Sequence, residues 1–129
     1  MSFKASATFK VDVWDAGDEE RADGGPTMGV VRLEKTYTEG DILGRATGTM
    51  LTTRGEGGAS YVAQERVFGT LGGREGTFVL EHGAQQVGED PPRTWARIVT
   101  ASGTGQLAGL TGEGTLGHGT LDLDVRLPG

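Results

Sequence analysis

The feature that most constrains the fold is the spacing of the glycine residues. The chain has 24 glycines among 129 residues, and they recur every few positions in residues 69–76 and again in residues 103–119. Glycine tolerates the backbone conformations of tight turns and weakens a helix, so this spacing divides the chain into short segments. The pattern therefore predicts short extended strands joined by tight turns.

The residues between these turns alternate between apolar and polar side chains, as half-buried strands do. The alternation is clearest in residues 120–127 and in residues 3–13, where it places Val13 on the same face as Phe9. The predicted strands are 3–13, 28–38, 41–53, 60–68, 77–82, 93–100, 113–116 and 120–127. Residues 15–26 are polar and contain three glycines and a proline, which predicts a mobile loop at a barrel mouth, either a lid or simply solvated. A single helical turn is predicted at 106–110.

These segments predict one all-β domain over residues 1–129. Eight antiparallel strands can close on themselves and remove exposed edges, which leaves an interior that is filled by side chains or holds one small ligand. We therefore predict an eight-stranded antiparallel closed β-barrel. A β-sandwich with a similar number of strands is the alternative that periodicity leaves open.

Composition narrows the class of protein. The chain has no cysteine, which excludes disulfides, thiolate metal sites and a cysteine nucleophile. Its net charge of −6, without a cluster of Lys and Arg, argues against nucleic acid as a partner. No stretch approaches the roughly 20 apolar residues of a membrane span, and residues 1–10 lack an apolar signal core. We expect a cytoplasmic protein that does not bind membranes. Both dimers and trimers occur among similar barrels, so the sequence leaves open whether the chain forms a homo-oligomer of either kind.

A family resemblance is carried by Tyr61–Arg66, Gly69–His82 and Ser102–Gly114, with weaker similarity at Trp14–Asp15 and Lys35–Gly44. These stretches resemble DUF3224, an uncharacterised bacterial family that is grouped with the allene-oxide-cyclase-like or calycin-like barrels. The Gly-Thr-Gly-x-Leu-x-Gly-x-x-Gly run at residues 103–112 also resembles plant allene oxide cyclases and dirigent proteins. These relatives imply a barrel whose mouth receives an apolar molecule and guides a ring closure or coupling without a cofactor, although a shared fold transfers no activity by itself.

The predicted strand 60–68 offers two sets of inward side chains, because every second residue of a barrel strand points into the lumen. One set contains Tyr61 and Glu65, and the other contains Arg66. An inward Glu65 would be desolvated, which would raise its pKa and suit it to general acid or base catalysis. Alternatively, Glu65 or Arg66 pairs with a neighbour on the outer face.

Two other strands supply candidate pocket residues. In residues 77–82 the more apolar set is Phe78, Leu80 and His82, so we place it inside, with His82 at the strand end near an opening. There His82 would be either a structural residue or a base. In residues 93–100, Trp95 would form a pocket wall and Arg97 would bind a ligand carboxylate or pair with Glu65; packing of Trp95 with a surface Arg97 is the alternative.

Other kinds of site are poorly supported by the sequence. The two histidines lie 36 positions apart without further nitrogen or sulfur donors, so we predict no metal site. No long helix follows the glycine-rich runs, which argues against a nucleotide loop, and we predict no cofactor. None of the four serines lies in a Gly-x-Ser-x-Gly elbow, which argues against a serine hydrolase.

The leading hypothesis is a barrel that encloses a small, largely apolar molecule, with cofactor-independent cyclase or isomerase activity. In it Glu65 transfers a proton, Tyr61 and His82 orient substrate oxygens, and the substrate contacts are Trp95, Arg97, Phe78 and Leu80. One alternative is a non-catalytic, lipocalin-like carrier, and another is a filled barrel that acts through its surface. A lumen in which Glu65 contacts a second polar group would favour the enzyme, whereas an apolar lumen would favour the carrier.

Overall fold

The computed structural model describes residues 1–129 and contains nine β-strands with one 3₁₀ turn. The strands are β1 (Ser2–Ala16), β2 (Glu20–Arg21), β3 (Thr27–Gly40), β4 (Ile42–Gly55), β5 (Gly58–Leu71), β6 (Arg74–Val87), β7 (Arg93–Ile98), β8 (Thr111–Leu116) and β9 (Thr120–Arg126). The 3₁₀ turn spans Gly105–Leu107. No helix is long and apolar enough to cross a membrane.

The strands form one antiparallel sheet that closes on itself. Its order is β1-β9-β8-β7-β6-β5-β4-β3-β2, and an additional β1–β3 pairing joins the two sides. Eight strands therefore make the barrel, and the two-residue β2 is an extra strand that pairs only with the start of β3. The predicted closed eight-stranded barrel is confirmed, and the sandwich alternative is excluded because one continuous ladder surrounds a single lumen.

The long strands extend two to five residues beyond most of their predicted ends, since the turns between them are very short. The turn between β5 and β6, for example, consists of Gly72 and Gly73, both with positive φ. Only glycine adopts this conformation readily, so the glycine pattern marked the turn correctly. Residues 15–26, predicted as one polar loop, instead include the end of β1 and all of β2.

Strand β1 departs from its predicted alternation. Its register against β3 shifts between Thr8 and Phe9 and again between Val11 and Val13. After the second shift Trp14 pairs with Leu33, a residue that points into the barrel. The prediction that Val13 shares a face with Phe9 is wrong, because an irregularity in the ladder reverses which side chains face inward.

The barrel interior contains two apolar clusters of very different size. The larger cluster has 18 buried residues and includes Phe78, Leu80 and the fully buried Leu107 of the 3₁₀ turn. We call this half of the barrel the closed end. The smaller cluster has four buried residues, Val31, Leu33, Met50 and Ala63, with Tyr61 packed against it. We call this half the open end.

Candidate functional site: a buried polar layer beneath a mouth cavity

A layer of polar side chains separates the closed end from the open end. Its members, which we call the polar layer, are Lys35, Tyr37, Glu65 and His82. Along β3 the inward residues run from Val31 and Leu33 of the open end to Lys35 and then Tyr37. Charged side chains are rarely buried unless they are paired, so this placement requires specific partners.

The volume for Glu65 is provided by a glycine on the neighbouring strand. Glu65 of β5 pairs in register with Gly48 of β4, an inward position between Ala46 and Met50. A Cβ at position 48 would lie 2.7 Å from the Glu65 Cβ, which is too close for two carbon atoms. Gly48 therefore makes room in the lumen for the carboxylate.

Glu65 is the centre of the layer, and three donors surround its carboxylate. The Tyr37 hydroxyl donates to Oε1 at 2.7 Å. The Lys35 Nζ lies 2.9 Å from Oε2, and the His82 Nε2 lies 2.8 Å from the same oxygen. The Glu65 side chain is fully buried, so these contacts replace its hydration.

These partners also determine the protonation state of Glu65. Burial alone raises the pKa of this carboxyl, but the hydrogen bond from His82, the charge of Lys35 and the hydrogen bond from Tyr37 outweigh it and lower the pKa to about 2. The sequence-based expectation of a raised pKa is therefore wrong. Glu65 is a permanent anion near neutral pH, so it is poorly suited to carry a proton itself.

Lys35 is held by one further contact, with an aromatic ring. Its Nζ lies 4.2 Å from the centroid of the Phe9 ring, and Phe9 packs against Tyr37 with ring centroids 5.6 Å apart. An ammonium group above a ring face is attracted by the negative face of the ring. The positive charge of Lys35 is thus fixed beside Glu65.

Tyr61 connects the polar layer to a cavity at the open end. Its hydroxyl lies 3.0 Å from the His82 Nδ1, and the two rings meet edge to face with centroids 5.5 Å apart. Tyr61 is only half-buried and lines the cavity, whereas Glu65 and His82 are buried beneath it. Burial and then the nearby Glu65 charge raise the pKa of Tyr61, so the phenol stays protonated near neutral pH.

The cavity, which we call the mouth cavity, has a volume of about 460 Å³ and a largely apolar wall. Its apolar side chains include Trp14, Val30, Val31, Met50 and Ala84. A bidentate ion pair between Arg54 and Glu19 lies at its rim, with nitrogen-to-oxygen distances of 2.6 and 3.2 Å. This volume is typical of a small-molecule site.

The three residues proposed as catalytic come together in the structure. Tyr61, His82 and Glu65 form one continuous hydrogen-bonded chain, which we call the Tyr61 relay. His82 lies well inside β6 and is buried, so its predicted position at a strand end near an opening is wrong. The error arose because β6 continues to Val87, five residues beyond the predicted end.

The residues proposed as substrate contacts do not gather around the mouth cavity. Phe78 and Leu80 point inward as predicted, but they pack in the closed end. Trp95 lies on the outer face against Gly83, where a Cβ would meet its ring at 2.8 Å. Arg97 is also outside, with its guanidinium carbon 4.9 Å from the centre of the Trp95 ring, and it pairs with Glu81 through a 2.6 Å hydrogen bond from its Nε instead of with Glu65.

Lys35 and Tyr37 are candidate site residues that the sequence did not single out. A signal for Lys35 was present, since it alternates in phase with Val31, Leu33 and Tyr37 in a predicted strand. A lysine in an apolar alternation indicates a buried charge. The structure contains no group of three or more His, Cys, Asp and Glu side chains that could hold a metal ion.

Comparison with solved structures identifies a relative of the same architecture. A crystal structure of a protein with unknown function from the DUF3224 family, from Shewanella oneidensis MR-1, superposes with a TM-score of 0.80 at 30% sequence identity. The match covers 97% of this chain and 95% of the Shewanella chain. None of the curated proteins matches the chain.

Comparison with family models gives the same result from sequence. The model described as protein of unknown function, DUF3224, matches residues 5–124, which include every residue of the polar layer and most of the wall of the mouth cavity. On both grounds, the β-barrel described above belongs to the DUF3224 family.

Proposed function

We propose that the barrel binds a small, largely apolar molecule in the mouth cavity. The observation that carries this proposal is a largely apolar cavity of about 460 Å³ whose wall includes Tyr61, the hydroxyl of which is hydrogen-bonded to the buried His82. Apolar walls supply binding free energy, and a few placed polar groups supply orientation. The resemblance of residues 103–112 to allene oxide cyclases and dirigent proteins supports the same class of ligand.

Mass spectrometry of the purified protein tests this proposal directly. The protein is incubated with an extract of small molecules from host cells, isolated again, and compared under native and denaturing conditions. We expect a discrete bound molecule in the wild type. Ala84→Phe, which fills the mouth cavity, should abolish the bound mass, whereas Val62→Phe on the exposed outer face should keep it. A wild-type protein that captures nothing contradicts the proposal.

A second candidate function, cofactor-independent isomerase or cyclase, is favoured by the Tyr61 relay. A carrier needs no buried ion pair beneath its ligand, whereas a phenol coupled to an imidazole and a fixed anion can take up a proton and return it. A substrate proton would pass to the Tyr61 oxygen while the Tyr61 proton passes to the His82 Nδ1. Both protons return as the product forms, so the reaction needs no oxidant or reductant.

The two candidates separate once a bound molecule is identified. An enzyme converts it to an isomer, and Tyr61→Phe should stop the conversion while binding persists. Glu65→Gln should also stop the conversion, because the imidazolium formed at His82 would lose its anion. A molecule released unchanged by the wild type indicates a carrier. Turnover that survives Tyr61→Phe contradicts the role of the relay.

A further inference from the structure

The Tyr61 hydroxyl can face a ligand either as a donor or as an acceptor, and the polar layer determines which. The hydroxyl has one hydrogen, and its partner in the structure is the Nδ1 of His82 at 3.0 Å. A neutral imidazole has one donor nitrogen and one acceptor nitrogen. The direction of the Tyr61 hydrogen bond therefore follows from which nitrogen of His82 carries the hydrogen.

The other nitrogen, Nε2, has only one possible role. It lies 2.8 Å from the Glu65 Oε2, an oxygen that also contacts the Lys35 ammonium at 2.9 Å. An ionised carboxylate can only accept hydrogen bonds. Nε2 must therefore carry a hydrogen and donate it to Glu65.

Charge balance decides the state of Nδ1. The interior holds one carboxylate, Glu65, and one ammonium group, Lys35, which already contacts the oxygen that His82 shares. A second hydrogen on His82 would place another cation beside Lys35, out of water and without a second anion. Nδ1 therefore carries no hydrogen and accepts, and the Tyr61 hydroxyl donates to it.

This direction commits the only hydrogen of the Tyr61 hydroxyl to the polar layer. We infer that the mouth cavity selects apolar ligands that carry a hydrogen-bond donor, a hydroxyl or an N–H group, at the end that meets Tyr61, and that it disfavours ether or carbonyl oxygens there. The inference rests on the proposed function, since it names the class of ligand for the same cavity. The remaining lone pairs of the phenol oxygen accept from the ligand, whereas two facing acceptors would leave both unpaired.

A matched pair of probes tests this selectivity. The probes are 4-tert-butylphenol and 4-tert-butylanisole, which share an apolar body. The phenol has a hydroxyl that can donate a hydrogen bond, whereas the anisole is its methyl ether and has no donor. Isothermal titration calorimetry at neutral pH measures the dissociation constant of each for the wild type, Tyr61→Phe and Trp95→Phe. Trp95 lies on the outer face, so its variant serves as the control.

We expect the wild type and Trp95→Phe to bind the phenol about tenfold more tightly than the anisole, as the loss of one hydrogen bond implies. Tyr61→Phe should bind the two probes with equal affinity while keeping the ring that packs against His82. Equal affinities in the wild type, or a preference that survives Tyr61→Phe, overturn the selectivity and leave the binding function in place. Binding of neither probe overturns both proposals.

The hydrogen on His82 can also be observed without a ligand. Nitrogen NMR of the labelled imidazoles distinguishes a protonated ring nitrogen from an unprotonated one, and the only other histidine is His118 in an exposed turn. We expect Nε2 of His82 to be protonated and Nδ1 to be free of hydrogen near neutral pH. A protonated Nδ1 overturns the inference, because the Tyr61 hydroxyl would then point its hydrogen toward the cavity.

Discussion

The two ends of one barrel differ in how their interiors are filled. The closed end buries 18 residues, among them large side chains such as Phe78 and Leu107. The open end buries four, and small residues such as Ala84 and Gly29 line the mouth cavity there. The backbone differs as well, because β1 pairs with β9 only over Ser2–Thr8, and its residues beyond Thr8, toward the open end, pair with β3 alone. The closed end stabilises the fold, which leaves the open end free to keep space for a ligand.

Large-to-small substitutions should show this division most strongly. Phe78→Ala leaves a void in a tightly packed interior, and we expect it to lower the free energy of unfolding by about 3–5 kcal/mol. Met50→Ala enlarges a cavity that already exists, so we expect a loss of about 1–2 kcal/mol. Urea denaturation of both variants measures the difference. Equal losses would show that the open end is packed as firmly as the closed end.

Removing the anion of the polar layer should have the next largest effect. Glu65→Gln leaves the buried ammonium of Lys35 without its counterion, and we expect a loss of about 3 kcal/mol in the free energy of unfolding. The double variant with Lys35→Met removes both charges and should recover most of that loss, because a buried ion pair adds little beyond an apolar pair of similar size. A double variant that is less stable than Glu65→Gln contradicts the pairing.

Acid should remove the stabilisation that the ionised Glu65 gives to the polar layer between the two ends. The pKa of Glu65 is lowered from 4.5 to about 2 in the folded protein, so its ionised form stabilises the fold above pH 4.5. That contribution is lost as the pH falls from about 4.5 to about 2, because the unfolded chain takes up the proton first. The free energy of unfolding of the wild type should therefore fall more steeply over this range than that of Glu65→Gln. Parallel curves would contradict the ionised, buried state.

The sequence predicts well those features of the fold that depend only on residues close together in the chain. Alternation with a period of two and paired glycines such as Gly72 and Gly73 are properties of neighbouring residues, so strands and turns follow from them. The irregularity of β1 between Val11 and Val13 has no such local signal in the sequence, and the face of Val13 was predicted wrongly for that reason.

The polar layer depends on register between strands that are distant in sequence. Glu65 meets Lys35 and His82 only because β3, β5 and β6 bring those positions to one depth of the lumen. The sequence showed that Glu65 was a candidate for burial, but it did not show two nitrogen donors at one carboxylate oxygen. This is why the sign of the Glu65 pKa shift was predicted wrongly.

The two ends of the barrel can also be compared through the chain's only two tyrosines, Tyr37 and Tyr61. Tyr37 belongs to the cluster of the closed end, and Tyr61 packs against the cluster of the open end. Burial is the largest cause that raises both pKa values above 10.0, followed by the charge of Glu65, and the effect is larger for Tyr37. The protonated phenols stabilise the fold below pH 10.0, and that contribution is lost as the pH rises through the folded pKa values.

Ultraviolet absorbance of tyrosinate during an alkaline titration should therefore show two separate steps. We expect Tyr61, which lines the mouth cavity, to ionise first, and Tyr37 to ionise only as the barrel unfolds, because Tyr37 is buried within the closed-end cluster. Tyr61→Phe should remove the first step and leave the second. A single step near pH 10.0 for both residues would mean that water reaches the two sides of the polar layer equally. Two steps would establish that water reaches the polar layer from the open end but not from the closed end. A ligand site above a packed core requires this difference in water access.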